Sequence, residues 1–478
     1  MAGSDPSALS GRPFFFCGIG GSGMLPLAQI AHGSGHDVAG SDRSFDQGRT
    51  PEKFAWLEGN GFELFPQDGS GIRSANQILI ASAAIEDSVP EVARAKELGC
   101  ERMSRADLLS AFFNRAPRSI AVGGTSGKST VTAMIAWILH ECGSDPTVMN
   151  GAVMKNFATE DNPFASARVG TSDMFVSEVD ESDGSIALYR PSIAVLLNVS
   201  LDHKSMDELR ELFGNYLAEA ERAVVNFDNE EARALAAKGA HVTSYGVRSE
   251  DADLAIVEGS IADEALSTDA KLRDNRCGET FDLRVPMPGR HNLSNALAAI
   301  AAASAAGIAT GEAVAALGSF AGLARRFDVV GTTPSGITVI DDFGHNPEKC
   351  AATLRTLQAT SQTGGGRIIA FFQPHGYGPL QQMGEELAQT FSAELREEDC
   401  TIMCDPVYFG GTVDRSEGTE RIVAMIRDRG GSAEHIPERE ACGDRIVELA
   451  RQDDRIVVMG ARDDTLTAFA RSIFERLD

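Results

Sequence analysis

Short apolar runs alternate along this chain with stretches whose apolar residues fall at helical spacing. Runs at Phe14–Cys17, 37–39 and 77–81 alternate with helix-like stretches such as 89–98. That rhythm predicts βαβ units and a parallel sheet. A second block starts at Ser119, with strands expected at 174–179, 193–198 and 222–226. Residues 251–287 break the pattern. They are charged, turn-rich and short-stranded, and read as an antiparallel appendage. Residues 296–306 form a small, alanine-rich helix that must pack closely, and a third block begins near Val330. Its strands are expected at 338–341, 367–372, 401–404 and 455–459, separated by helical segments. The chain has no internal repeat and no long low-complexity tract, so the coarse reading is an α/β protein of three domains.

Length agrees, since 478 residues correspond to about three domains on the usual length scale. A hydrophobic content of 43% fits α/β domains with ample core. The formal charge of −26 argues against a broad nucleic-acid surface, which needs clustered Lys and Arg, and is read as acidic solubility. No apolar run approaches the roughly 20 residues of a membrane span. Phe14–Cys17 reads as a buried strand rather than a signal core, because glycines and Asp37 follow quickly. The eight cysteines are scattered and read as reduced thiols, which suggests a cytoplasmic protein.

Candidate chemistry centres on Val122-Gly-Gly-Thr-Ser-Gly-Lys-Ser-Thr130. An apolar, β-prone Ser119-Ile-Ala-Val precedes it, and Val131-Thr-Ala-Met-Ile-Ala-Trp-Ile-Leu139 continues at helical spacing. A strand, a glycine-rich turn, Lys-Ser and a helix together cradle phosphates. Backbone amides of Gly124, Thr125, Ser126, Gly127 and Thr130 face the anion, Lys128 reaches the terminal phosphates, and Ser129 ligates Mg²⁺. Val122 stands where the usual motif has its first glycine, so the frame rather than the spacing carries the reading.

Other constellations stay open when judged alone. Gly18-Ile-Gly-Gly-Ser-Gly-Met24 follows the first strand, and Asp42 ends the next, placed to meet a ribose hydroxyl. NAD, another dinucleotide, a UDP-sugar or a purely structural turn all fit. Ser177-Glu-Val-Asp-Glu-Ser-Asp183 ends a strong apolar strand. Glu178 there and His203 further on are candidate partners for Mg²⁺, against a solvated acidic loop. In Pro288-Gly-Arg-His-Asn-Leu-Ser-Asn295, Asn292 and Asn295 share a helix face able to read an adenine edge, with capping by Asn292 as the plain alternative. Arg325-Arg-Phe-Asp328 falls at a domain junction. Asp342, His345 and Asn346 follow a third-block strand, as do Gln373-Pro-His375 after the next.

In this order the motifs resemble the Mur ligase family, the ATP-dependent amide-forming enzymes of peptidoglycan assembly, over nearly the whole chain. The resemblance implies a Rossmann-like UDP-sugar-binding domain at 1–117, a central P-loop ATP-binding domain at 118–328, and a Rossmann-like C-terminal ligase domain at 329–478. It implies a UDP-sugar site at Gly18, Gly20, Gly21, Ser22, Gly23, Met24, Asp42 and Ser82. ATP would be held by the phosphate loop with Asn292, Asn295, Arg326 and Asp342, and Mg²⁺ by Ser129, Glu178 and His203. Lys128, Glu178, His203, Asp342 and His345 would carry the chemistry: phosphorylation of a sugar-acid carboxylate, then attack by an amine. The partners implied are small molecules, a UDP-sugar acid and an amino acid or short peptide, with no nucleic acid or membrane, for a monomer or homodimer. No lysine lies between Lys204 and Lys238, as in the alanine-adding branch, where a carbamylated lysine is absent.

Some positions depart from that branch. Ser126 and Ser129 replace its His and Thr, Phe343 its Tyr, and Asn346 a second His. After His375 the branch has two arginines near substrate, whereas this chain has Gly376-Tyr-Gly-Pro-Leu380, which leaves the amine and the sugar acid open. Three alternatives to the amino-acid ligase follow: a ligase that attaches an intact peptide in cell-wall recycling, a nucleotide-gated regulatory or scaffold protein, and an NAD-dependent oxidoreductase. The last leaves Lys128, Glu178 and His203 unexplained.

Overall fold

The computed structural model describes residue 9 and residues 11–82, 85–201, 204–361, 366–407, 418–461, 463 and 465–478. Three sheets carry the fold, as the alternating pattern predicts. The first has β1 (Phe14–Cys17), β2 (Val38–Ser41), β3 (Glu63–Phe65), β4 (Ile78–Ala81) and β5 (Glu101–Ser104), all parallel, in the order β3-β2-β1-β4-β5. All four residues of β1 are buried, as expected of a strand covered on both faces. Strand order reverses between β1 and β4, which opens the crevice where such sheets take ligands.

The central sheet is built around β6 (Arg118–Gly123), with β7 (Thr147–Met149), β8 (Ala167–Arg168), β9 (Met174–Glu178), β10 (Ile193–Leu196), β11 (Arg222–Asn226) and β12 (Val242–Gly246). It continues through β13 (Leu254–Ile256), β14 (Ala262–Asp263), β15 (Thr268–Asp274) and β16 (Glu279–Val285). The expected appendage is therefore an extension of this sheet. β13 pairs parallel with β12, and the antiparallel strands begin only at its other edge. The helix Arg290–Ala305 buries Ala296, Ala298, Ala299, Ala301, Ala302 and Ala303 completely, which explains its composition.

The third sheet has β17 (Asp328–Thr332), β18 (Thr338–Asp342), β19 (Ile368–Gln373), β20 (Cys400–Met403), β21 (Ala433–His435) and β22 (Arg455–Gly460), in the order β17-β18-β22-β19-β20-β21. Only β17 runs antiparallel.

Two compact units result. Met1–Ile261, Ala270–Val285 and Leu293–Ala321 make one, and Ala262–Asp269, Pro286–Asn292 and Gly322–Asp478 the other. Within the first unit, Trp56 Nε1 donates to Asp161 O at 2.7 Å and Asn114 Nδ2 to Leu188 O at 2.9 Å, tying the first sheet's layer to the central one. Among the described residues no helix is long and apolar enough to cross a membrane.

Candidate functional site

The phosphate loop leaves the C-terminal end of β6, which is flanked by β9 and β10. Gly124 (φ +138°) and Gly127 (φ +90°) adopt conformations that side chains resist, and the helix Lys128–Glu141 starts directly after them. Asn198, just beyond β10, braces the turn: Ser126 N donates to its Oδ1 at 2.8 Å, and its Nδ2 donates to Ser126 O at 3.0 Å. Asn295 closes over the loop as well, since a Cβ on Gly127 would stand 2.7 Å from its Oδ1.

The acidic segment after β9 meets the two reactive side chains of the loop. Register places Glu178 beside Val122, and Ser129 Oγ donates to Glu178 Oε2 at 2.7 Å. Lys128 Nζ donates to Gly124 O at 2.8 Å and to Glu181 Oε2 at 2.7 Å. The Glu181 side chain is only 7% exposed, so the pair is shielded from water. Burial opposes ionisation of Asp180, yet hydrogen bonds from Ser182 and the charges of Lys128 and Arg105 hold its carboxyl below the ordinary range. Asn150 Nδ2 donates to Ser129 O at 3.1 Å, and Gly151 lies so close to Glu178 that a Cβ there would be 2.2 Å from Oε1. The hydroxyl of Ser129 and the carboxylate of Glu178 are hard oxygen donors of the kind Mg²⁺ selects. The third expected metal partner, His203, lies outside the described residues.

On the first sheet, the Gly18–Gly23 turn, Asp42 and Ser82 share the C-terminal edge, after β1, β2 and β4. Asp42 is engaged locally: Oδ2 accepts from Gly20 N at 2.9 Å and Oδ1 from Ser44 N at 2.8 Å. It holds the turn in shape. Met24 is 8% exposed and packs into the core, so its side chain faces away from the turn.

The third sheet gathers Asp342, His345 and His375 at the ends of β18 and β19. Asp342 is an anchor. Oδ1 accepts from Gly344 N at 2.8 Å and Thr353 Oγ1 at 2.9 Å, and Oδ2 accepts from Phe327 N at 2.8 Å. His345 and His375 meet edge to face, with ring centroids 5.3 Å apart. Burial, reinforced by the like charge of Lys349, pushes His345 down to about 4, so it is neutral near pH 7. Arg326 stacks over Phe343 at 4.5 Å, and Arg325 reaches Asp341 and the carbonyls of Gly460 and Asp463. Asn292 is buried in the first turn of its helix and donates to Pro288 O at 2.8 Å.

Sequence reasoning missed Asn198, Glu181, Asn150 and Gly151 as parts of this site. Asn198 ends an expected strand, and Glu181 lies in the acidic segment 177–183. Gly151 follows a short strand, and only its approach to Glu178 marks it.

A phosphate loop whose lysine and serine are both held by carboxylates, in a chain with a separate glycine turn on its first parallel sheet, defines a nucleotide-dependent α/β enzyme. Residues 13–116 match the Mur ligase family catalytic domain, 122–303 the Mur ligase middle domain, and 325–462 the Mur ligase glutamate ligase domain. The chain belongs to the Mur ligase family, and it is an ADP-forming, amide-forming ligase of that class. It is 34% identical over 450 residues to a UDP-N-acetylmuramate–L-alanine ligase of Agrobacterium fabrum (strain C58 / ATCC 33970), covering 91% of each chain. The structure of a UDP-N-acetylmuramate-alanine ligase from Thermotoga maritima shares the fold, with a TM-score of 0.79 at 24% identity over 97% of this chain and 99% of that one. A murein peptide ligase from Psychrobacter arcticus 273-4 gives 0.68 at 26% identity over 98% and 99%.

Proposed function

We propose that this enzyme joins L-alanine or a variant amine to the carboxylate of UDP-N-acetylmuramic acid or a related UDP-sugar acid. The observation that carries the proposal is the Ser129–Glu178 and Lys128–Glu181 pairing at the phosphate loop, in a chain 34% identical to an alanine-adding ligase. A carboxylate is a poor electrophile. Its oxygen attacks the γ-phosphorus of ATP, ADP leaves, and the acyl phosphate is then attacked by the amine, which releases phosphate and a proton. Lys128 stabilises charge on the transferring group, and Gly124–Thr130 orient it. Mg²⁺, when bound, neutralises phosphate charge, and Ser129, Glu178 and His203 are the side chains that would hold it. Asn295 and Arg326 are assigned to ATP, and the Gly18–Gly23 turn with Ser82 to the sugar nucleotide. Asn292 is assigned to adenine, and His345 to the incoming amine, which a neutral imidazole suits.

The division into 1–117, 118–328 and 329–478 belongs to the same proposal, supported by the matched spans. So do a cytoplasmic setting, where ATP is available, and a monomeric or homodimeric state. A second reading has an intact peptide as the amine. The 26% likeness to a murein peptide ligase supports it, as do the small residues Gly376 and Gly378 where a helix begins. The test is phosphate release from ATP and Mg²⁺ with UDP-N-acetylmuramic acid, screened against single amino acids and short peptides. Release that needs both substrates is expected. Release with peptides alone would replace the first reading by the second, and no release with any pair would overturn both.

A further inference from the structure

Arg105 opens the helix Arg105–Phe113 and lies against the glycine turn of the first sheet. A Cβ on Gly23 would stand 3.0 Å from its Cδ, 3.4 Å from Nε and 3.8 Å from Cζ, so the stem and guanidinium run along the Gly23 backbone. A side chain on Gly23 would require Arg105 to give by a few tenths of an ångström.

Nothing local accounts for an arginine here. A cation at the first residue of a helix faces the positive end of the macrodipole, which is unfavourable. The start of this helix is already served by Ser104 and Asp107, which exchange hydrogen bonds in a capping box. The chain carries 69 acidic residues against 43 basic ones, yet among the described residues Arg105 has no hydrogen bond and no ion pair within 4.0 Å. It is half-buried, so part of its hydration is lost without replacement. Arg102 and Arg94, on neighbouring elements, do find carboxylates.

We propose that Arg105 binds a phosphate oxygen of the nucleotide sugar at the Gly18–Gly23 turn, supplying the charge-assisted contact that backbone amides alone do not give. This rests on the assignment of that turn to a uridine diphosphate group. The planar guanidinium suits a phosphate fork, which a lysine ammonium would meet only as a point charge. The charge of Arg105 also bears on Asp180, in the acidic segment after β9.

The test compares uridine with UDP by calorimetry on the full chain, for the wild type, Arg105→Ala and Arg105→Lys. The wild type is expected to bind UDP more tightly than uridine. Arg105→Ala is expected to lose roughly 10- to 100-fold on UDP and almost nothing on uridine. Arg105→Lys recovers part of the loss while keeping its stem on Gly23, and unchanged ATP affinity in both variants reports an intact fold. Equal weakening of uridine and UDP would assign Arg105 a structural role and overturn the proposal, as would no weakening at all. A wild type that binds ATP but neither uridine nor UDP would overturn the sugar-nucleotide reading itself, and the Arg105 proposal with it.

Discussion

Lys128 is held by Glu181. The 2.7 Å bond between Nζ and Oε2, with the second bond to Gly124 O, uses two of the three ammonium hydrogens. The third is left to point at a phosphate. An ammonium fixed at two points is organised before the nucleotide arrives, which favours the transition state over mere binding. Glu181→Gln is therefore expected to lower kcat about 10- to 100-fold with little change in KM for ATP, since a charge-assisted bond of roughly 1.5–3 kcal/mol is weakened. Lys128→Ala is expected to abolish turnover. Steady-state phosphate release measures both, and a Glu181→Gln enzyme with wild-type kcat would remove this role.

Gly151 gives a sharper steric test. A methyl group there would stand 2.2 Å from Glu178 Oε1 and 3.2 Å from Ser129 Oγ, so the carboxylate must move, which disturbs its bond to Ser129. The residue is exposed and its backbone is not left-handed, so folding should tolerate the change. Gly151→Ala is expected to cost at least ~10-fold in turnover at a fixed Mg²⁺ concentration, with a thermal midpoint close to wild type. Unchanged turnover would show that Glu178 has a second position as good as the first.

These two residues also show what the sequence made legible. Lys128, Ser129 and Glu178 were readable because phosphate chemistry requires those side chains at the ends of apolar strands, and apolar strands announce themselves. The three sheets were readable for the same reason, with ends displaced by a residue or so. Glu181 lay in view within the Ser177–Asp183 segment and Asn198 at the end of an expected strand, but their work is to brace other residues, and bracing has no signature of spacing. Gly151 was invisible, because a close approach between β7 and β9 is a tertiary fact. The antiparallel character of 251–287 was legible, but strand composition does not report which sheet edge the strands extend, here that of β12 through β13. Asp42 and Asp342 were read as ligand contacts, while both carboxylates are engaged by backbone amides around them.

That engagement makes Asp342 testable as an anchor. Phe327 N, Gly344 N and Thr353 Oγ1 all lose their acceptor in Asp342→Ala, and Phe327 already carries a left-handed backbone (φ +48°) that the bond to Oδ2 helps hold. Unsatisfied buried donors cost about 1–3 kcal/mol each, with partial relief by water, so a loss of roughly 3 kcal/mol in stability is expected. Urea unfolding measures it. A variant that keeps wild-type stability but no longer binds ATP would assign the carboxylate to the nucleotide instead.

His345 supplies the pH dependence. Burial, with Lys349 next, lowers it from its ordinary value of 6.5 to about 4, so between those limits the unfolded chain binds a proton that the folded chain does not. Acid then favours unfolding: the penalty is absent above pH 6.5, grows as pH falls, and is complete below about 4. A shift of this size corresponds to a few kcal/mol at most, and with partial exposure on the order of 2 kcal/mol is expected. His345→Gln cannot titrate and should lose that component. The stability difference between variant and wild type, measured by urea unfolding at pH 7.5 and again near pH 4.5, should move in favour of the variant by that amount on acidification. Parallel pH curves for the two proteins would mean that His345 titrates at the same pH folded and unfolded, and would remove the burial-driven shift.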